Sequence, residues 1–387
     1  MDERWRALVV LAMARLSLGF QFQSIASVST LLIEDLDLAY ADLGFLIGLY
    51  VLPGVVLALP GGALGQRFGD KRVVMTGLAL MAGGGILAGL AENYSTLIAG
   101  RLLSGVGGVL LNVLMAKMAT DWFAGREIVL AMALFVNSFP VGIGLALLVL
   151  GMLTGGGAAW PVGPYVSATA AAAALLLLAL AYRRHPNDRS GATSAAAGIS
   201  GREIILVSLA GMMWGLYNGA FGIMLGFARS FWSVLASAWN RRHPRRYHHL
   251  AHGRLWPDWR PGCAALGAST SAPADRNPRL GQRNASAALL GTRLHAAGDR
   301  AADGPAGRCH HVASRSGAPT GKPRPRHGHL LHVAHMGQAG LPPAAGWLQD
   351  LSGNPAAPLY FAGGILLAIP LLYASFLLWN SKTQLQS

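Results

Sequence analysis

A short, basic, glycine-rich loop at residues 60–72 separates two apolar runs, and this arrangement most constrains the fold. The runs cover roughly residues 43–59 and 73–90, and each is about long enough to cross a bilayer. Because the loop is so short, the two runs must lie side by side and antiparallel. The cations of the loop are Arg67, Lys71 and Arg72. Their position predicts that the loop stays on the cytoplasmic side of a membrane.

The composition also indicates a membrane protein, but it is not uniform. Only 12% of the 387 residues are charged, and 53% are hydrophobic, whereas soluble domains carry roughly 25% charged residues. Residues 229–343 hold 17 of the 31 Lys and Arg residues but only 4 of the 17 Asp and Glu residues. The same segment holds 11 of the 12 His residues and both cysteines, Cys263 and Cys309. The net charge of +14 therefore comes almost entirely from one segment.

The distribution of cations predicts a topology for the rest of the chain. When loops are assigned alternately from the basic loop, the first three outer loops contain no Lys or Arg. The inner positions collect eleven cations: Arg4, Arg6, Arg67, Lys71, Arg72, Lys117, Arg126, Arg183, Arg184, Arg189 and Arg202. This asymmetry predicts a six-helix transmembrane half with a cytoplasmic N-terminus. The predicted domains are the half at 1–185, a cytoplasmic linker at 186–202, helix seven at 203–228, the basic segment at 229–343, and a terminal helix with its tail at 344–387.

Three motifs carry a resemblance to a known family. The loop sequence Gly62-x-Leu64-x-x-Arg67-x-Gly69-x-Lys71 resembles the signature between helices two and three of the major facilitator superfamily. It departs from that signature at Gln66, where the family has an acidic residue, and at Asp70, where it has a cation. The glycine-rich sequence around Arg101 resembles the family pattern on helix four, and the sequence around Pro140 resembles the pattern on helix five.

The resemblance implies a transporter built from two six-helix halves that alternate access to a midplane site. It implies conformational or coupling roles for Gly62, Leu64, Arg67, Gly69, Lys71, Arg101 and Pro140. Within the superfamily, the chain is similar to the cyanate- and nitrate-type permeases in two segments. These are the segment from Leu52 to Gly62 and the Asp121-Trp-Phe123 loop.

Residues 229–343 do not resemble the family. The segment has the length that helices eight to eleven require, but it has no apolar stretch approaching 18 residues, no Ile and no Glu. Our hypothesis is that it is an out-of-frame translation of a GC-rich gene. A genuine hydrophilic segment is the alternative, which would make the chain a truncated, non-transporting membrane protein or a membrane-tethered protein that binds polyanions. The His-rich tract at 327–335 is better explained by chance clustering than by metal binding.

Ionisable and polar residues inside the spans are the candidates for a substrate site. Arg15 lies about a third of the way into helix one, where a charge should face the bundle interior or a water-filled path. Since guanidinium groups bind carboxylates and oxyanions in a bidentate manner, Arg15 favours an anionic substrate. The alternative is a structural arginine bonded to carbonyl groups or a carboxylate, and a structural tether is equally open for Arg101. The other candidates are Gln23, Asn112, Asn137, Trp214, Tyr217 and Asn218. Helix–helix hydrogen bonds, packing or contact with the membrane interface are alternatives for these six residues.

The sequence contains no catalytic constellation, metal-ligand spacing or cofactor-binding motif that stands out in its apolar part. The basic loop lacks the Gly-Lys-Ser/Thr ending of a phosphate-binding loop, so an ATP-driven mechanism has no support. We therefore predict an all-α membrane protein with a major-facilitator-type bundle, and not an enzyme. The expected partners are a small-molecule substrate, the lipid bilayer and a coupling ion such as H⁺, without nucleic acid. The expected form is a multi-pass monomer in the cytoplasmic (inner) membrane.

Overall fold

In the computed structural model, the residues described are 2–57, 61–125, 127–183, 201–242 and 325–384, and they belong to one compact unit. They form α-helices and, among the residues described, no β-strand. The first six helices are α1 (Glu3–Ser27), α2 (Ser29–Leu36), α3 (Tyr40–Leu49), α4 (Pro53–Leu57), α5 (Gly61–Phe68) and α6 (Asp70–Gly89). The next six are α7 (Tyr94–Trp122), α8 (Ile128–Gly155), α9 (Val162–Ala181), α10 (Gly201–Arg242), α11 (Pro325–Ser352) and α12 (Ala357–Gln384). The predicted all-α class is confirmed.

Eight helical segments in the described part of the chain are long and apolar enough to cross a membrane. They are Glu3–Ser27, Tyr40–Leu57, Asp70–Gly89, Tyr94–Trp122, Ile128–Gly155, Val162–Ala181, Ile204–Trp232 and Ala357–Leu377. Their outer faces expose large apolar side chains, such as Val129, Leu180 and Leu367. An apolar surface of this extent suits contact with lipid, because in water it would bind other apolar surfaces and lead to association or aggregation.

The first two spans and the basic loop are more broken than their sequences predict. The first span ends at Ser27, because Val28, whose φ is −113°, separates α1 from α2. The second is interrupted before Pro53, which lacks the N–H group that would continue the hydrogen-bond ladder. The basic loop forms α5 and then turns into α6 at Gly69, whose φ of +87° favours glycine.

In the first half, α1 packs against α8 and α9, and α6 packs against α7 and α9. The contact between α1 and α8 is close because glycines lie on both sides. A Cβ at Gly19 would overlap the carbonyl group of Phe139, and one at Gly142 would overlap the carbonyl group of Leu16. This close packing brings the α8 segment that contains Phe135 next to the middle of α1.

Helices extend into both ends of the predicted basic segment. Helix α10 extends to Arg242, beyond the predicted end of helix seven at residue 228, and α11 covers the last part of the segment. Helix α11 packs against α3 and α10, and α12 packs mainly against α10. Residues 325–343, which the sequence assigns to the basic segment, are therefore helical, although this helix is not among the candidate membrane spans of the described residues. Hydropathy misses this helix because it contains several His and Pro residues.

The rest of the basic segment, residues 243–324, and most of the predicted linker, residues 184–200, lie outside the described residues. Both cysteines and most of the segment's cations fall in that part of the chain. The out-of-frame hypothesis and the polyanion-binding alternative therefore remain predictions.

Candidate substrate cavity

A cavity of about 150 Å³ lies in the middle of the bundle. Helices α1, α3, α7 and α8 contribute one part of its wall, and α10 and α11 contribute the other. Its polar side chains include Arg15, Asn112, Asn218, His335 and Gln338. Its aromatic side chains are Phe22, Tyr50, Phe139, Trp214 and Phe221. The wall thus combines aromatic and aliphatic side chains with a few polar groups, and Arg15 is its one permanently charged residue among those described.

Arg15 is that charged group. Its Nη1 donates a hydrogen bond of 2.6 Å to Oδ1 of Asn112. Its guanidinium carbon lies 4.7 Å from the ring centre of Phe135 and 5.8 Å from that of Phe139, which are distances typical of cation–π contact. The Nε atom is buried without a hydrogen-bond partner. Within the described residues, no carboxylate forms an ion pair with Arg15. The side chain of Asn112 and two aromatic rings therefore hold the guanidinium in place, but its Nε–H donor has no acceptor.

Arg101, the other arginine inside the predicted spans of the first half, donates a hydrogen bond from each of its three nitrogens. It is only 2% exposed. Its Nε donates to the carbonyl group of Leu46 (3.1 Å), Nη1 to that of Gln21 (2.8 Å) and Nη2 to that of Phe22 (2.8 Å). Its guanidinium carbon also lies 4.5 Å from the ring centre of Tyr50. This geometry favours the structural tether over the coupling role among the two alternatives, because every nitrogen already has an acceptor on α1 or α3.

The cavity brings together four of the predicted substrate residues: Arg15, Asn112, Trp214 and Asn218. The other three candidates do not line it. Gln23 instead donates a long hydrogen bond of 3.4 Å to the carbonyl group of Leu225, which joins α1 to α10. Asn137 is exposed and donates to the carbonyl group of Ala133 on its own helix (2.8 Å).

Tyr217, the third predicted substrate residue that does not line the cavity, is 55% exposed. Pro140 is also exposed, within α8, immediately after the lining residue Phe139. The cavity wall therefore does not support a direct substrate role for Tyr217, and the conformational role of Pro140 remains a prediction.

Sequence reasoning missed Tyr50, His335 and Gln338 as lining residues. The hydroxyl of Tyr50 is buried without a partner, and no motif singles this tyrosine out. His335 is buried, and its Nδ1 lies 2.6 Å from the carbonyl oxygen of Leu331. His335 and Gln338 lie in the segment that we assigned to an out-of-frame translation. Across the described residues, no group of three or more His, Cys, Asp or Glu side chains is arranged to hold a metal ion.

Residues 11–240 match the family model of the Major Facilitator Superfamily. The chain belongs to this superfamily. The structure of a nucleoside transporter superposes with a TM-score of 0.56 at 12% identity and covers 96% of this chain and 99% of that chain, which shows a shared fold. The predicted family and fold class are therefore confirmed, and members of this family are transporters rather than enzymes.

Curated relatives match only a part of this superfamily member. The inner membrane transport protein YajR of Escherichia coli is 31% identical over 114 residues, which cover 30% of this chain and 25% of that protein. A lysosomal dipeptide transporter of Danio rerio is 31% identical over 156 residues, which cover 39% of this chain and 34% of that protein. The chain thus spans about a quarter to a third of the length of these relatives. The resemblance to cyanate- and nitrate-type permeases remains a prediction.

The residues that match the signature of the superfamily lie in or beside the basic loop, and Lys71 attaches this loop to α9. Lys71 donates to the carbonyl groups of Ala179 (3.1 Å) and Tyr182 (2.7 Å) and so caps the C-terminus of α9. Arg67 is exposed, with its guanidinium carbon 5.5 Å from the ring centre of Phe68. Of the remaining signature residues, Leu64 packs against the core, Gly69 forms the turn and Gly62 lies in α5.

Asp70, which stands where the signature has a cation, is buried and forms an ion pair with Lys117 of α7. Lys117 also lies 3.8 Å from Asp121, one turn further along α7. Although Asp70 departs from the signature, its carboxylate is therefore paired with a cation on the neighbouring helix α7.

Proposed function

We propose that this chain is a secondary transporter that moves a small organic or inorganic anion, and that Arg15 binds the anion. The observation that carries the proposal is that Arg15 lines the cavity, has no carboxylate partner among the described residues and keeps a buried Nε without an acceptor. An unpaired cation in the apolar part of a membrane protein is costly. A carboxylate or oxyanion in the cavity would supply both the missing acceptor and the missing charge.

The cavity wall also supports a small substrate with a flat or apolar portion. Its volume of about 150 Å³ suits a small solute, and five aromatic side chains line it together with five polar ones. Asn112 and Asn218 provide amide groups in the two parts of the wall. Because both parts contribute to one site, relative movement of the two halves would expose the anion first to one side of the membrane and then to the other.

The remaining features of the proposal follow from the sequence. The absence of cations from the first three outer loops supports a cytoplasmic N-terminus and residence in the cytoplasmic membrane. The missing phosphate-binding loop supports transport driven by a gradient, with H⁺ as the candidate coupling ion. We propose that the transporter acts as a monomer, in keeping with a cavity formed within a single chain.

Binding measurements on the detergent-purified chain test the proposal. The probes are sodium formate, acetate, benzoate and nitrate, with acetamide and benzamide as neutral counterparts of two of the acids. We expect at least one anion to bind saturably, to raise the unfolding temperature and to enter proteoliposomes, while its neutral counterpart does none of these. Arg15→Gln should abolish the effect, because it removes the charge.

Arg72→Gln is the matched control, since Arg72 is an exposed cation on α6 outside the cavity wall. It should leave anion binding intact. The proposal fails if every anion binds equally well to wild type and to Arg15→Gln. Salt-dependent binding of heparin or nucleic acid, without binding of small anions, would favour the polyanion-binding alternative.

Resequencing the gene across codons 220–350 tests the out-of-frame hypothesis independently. If another frame encodes apolar spans over residues 243–324, the native transporter has a complete second half. If no frame encodes them, the basic segment is genuine and the proposal of transport loses its structural basis.

A further inference from the structure

Asp350, in the last turn of α11, joins that helix to the beginning of α3. Its Oδ1 accepts a hydrogen bond from the backbone N–H of Tyr40 (3.0 Å), and its Oδ2 accepts one from that of Ala41 (2.8 Å). Both carboxylate oxygens are therefore used, and both donors belong to the first turn of α3.

These two donors have no partner within their own helix, because the first four N–H groups of an α-helix lack acceptors. The positive end of the helix dipole also favours a carboxylate at this place. Asp350 thus satisfies α3 from outside. Since Asp350 is exposed, water can replace both bonds when the two helices separate.

The backbones of α3 and α11 touch along the same contact. A Cβ at Gly346 would overlap Tyr40, and a Cβ at Gly44 would overlap the carbonyl group of Pro342. Pro342 also lines the cavity. The contact between α3 and α11 therefore runs from the cavity wall to Asp350 and closes that end of the bundle.

We propose that Asp350 is a gating residue that holds α3 and α11 together at this end of the cavity. The inference rests on the proposed alternating-access function, because α3 belongs to the first half and α11 to the second. Opening the cavity at this end requires both hydrogen bonds to break. The carboxylate therefore shifts the conformational equilibrium toward the form closed at this end.

Spin labels provide a test that needs no substrate. The labels are placed through Ala39→Cys and Leu351→Cys, two exposed positions on either side of the contact, after Cys263 and Cys309 are changed to Ser. We expect Asp350→Asn to raise the ratio of long to short inter-label distances about tenfold, as expected for the loss of a charge-assisted bond. Asp350→Ala should raise it further, because it also removes the second acceptor.

Glu34→Gln is the control, since Glu34 is an exposed carboxylate on α2 at the same end of the bundle. It should leave the distance distribution unchanged. Identical distributions in wild type, Asp350→Asn and Asp350→Ala would overturn the gating role. Because these distances are measured without an anion, a shift with Asp350→Asn in a chain that binds no anion would leave the gate standing and refute only the proposed function. An anion-binding chain with unshifted distances would refute only the gate.

Discussion

Arg101 and Arg15 are both placed in apolar helices of the first half, yet their surroundings differ in one respect. Arg101 donates to three backbone carbonyl groups on two other helices. Arg15 donates to one side chain, Asn112, and keeps a buried Nε without an acceptor. Both guanidinium groups lie over aromatic rings at similar distances, 4.5 Å from Tyr50 and 4.7 Å from Phe135. The number of acceptors, and not the aromatic contact, separates the two sites.

This difference assigns different functions to the same residue type. Arg101 is buried, does not line the cavity and donates to a backbone carbonyl group from each of its three nitrogens, so we interpret it as a residue that holds α1, α3 and α7 together. Arg15 lines the cavity and keeps a donor without an acceptor, so we propose that it contributes less to the fold than Arg101 and that it binds the ligand. The comparison predicts that changing Arg101 reduces stability first, whereas changing Arg15 reduces ligand binding first.

Arg101→Met should give the largest effect. It leaves the carbonyl groups of Leu46, Gln21 and Phe22 without the guanidinium, and the loss of charge-assisted bonds should lower the free energy of unfolding by about 3 kcal/mol. Thermal unfolding in detergent, followed by intrinsic fluorescence, measures the change. Arg101→Lys should recover only part of it, because a single ammonium group cannot reach three carbonyl groups in the same geometry.

Arg15→Met is the matched variant for this measurement. It should change the free energy of unfolding by less than about 1 kcal/mol, because it removes a single hydrogen bond together with an unsatisfied buried nitrogen. Equal destabilisation by the two methionine variants would contradict the division between a structural and a ligand-binding arginine.

The sequence predicts the spans and the special position of Arg15 for a clear physical reason. Long apolar runs have few alternatives to crossing a membrane, and a charge within such a run must face the interior. The sequence could not separate Arg15 from Arg101. The acceptors of Arg101 are backbone carbonyl groups, which every residue carries, so no residue type marks them in advance.

The same limit explains the misplaced candidates. Helix α8 is apolar on all its faces, so its sequence does not indicate which face is buried, and Asn137 lies on an exposed one. Helix α11 escaped prediction because its contacts with α3 use small residues, such as Gly48 against Ala339, rather than a long apolar run. Its contribution to the cavity, including His335, could not be inferred without the packing.

Asn112→Asp should convert the Arg15 site into a site like that of Arg101. The new carboxylate would form an ion pair with the guanidinium, occupy its donors and repel an incoming anion. We expect the affinity for the anion identified above to fall by about 2 kcal/mol, or roughly 30-fold, while stability is unchanged or rises. Isothermal titration calorimetry measures the affinity.

Asn112→Ala separates this effect from simple loss of the amide. It removes the acceptor of Arg15 without adding a charge, so the affinity should fall much less than in Asn112→Asp. If the two variants bind the anion equally well, occupancy of the guanidinium does not control binding, and the comparison between the two arginines loses its basis.

Arg15→Lys should give the smallest of these effects, and it tests geometry rather than charge. An ammonium group keeps the positive charge in the cavity but cannot form the paired, parallel hydrogen bonds that a guanidinium offers to a carboxylate. We expect about a tenfold loss of affinity, or roughly 1.4 kcal/mol, for carboxylates and a smaller loss for a compact anion such as chloride. Competition titrations with acetate and chloride measure this ratio. An equal loss for both anions would mean that Arg15 acts only through its charge, and the distinction from Arg101 would then rest on exposure to the cavity and not on the free donor.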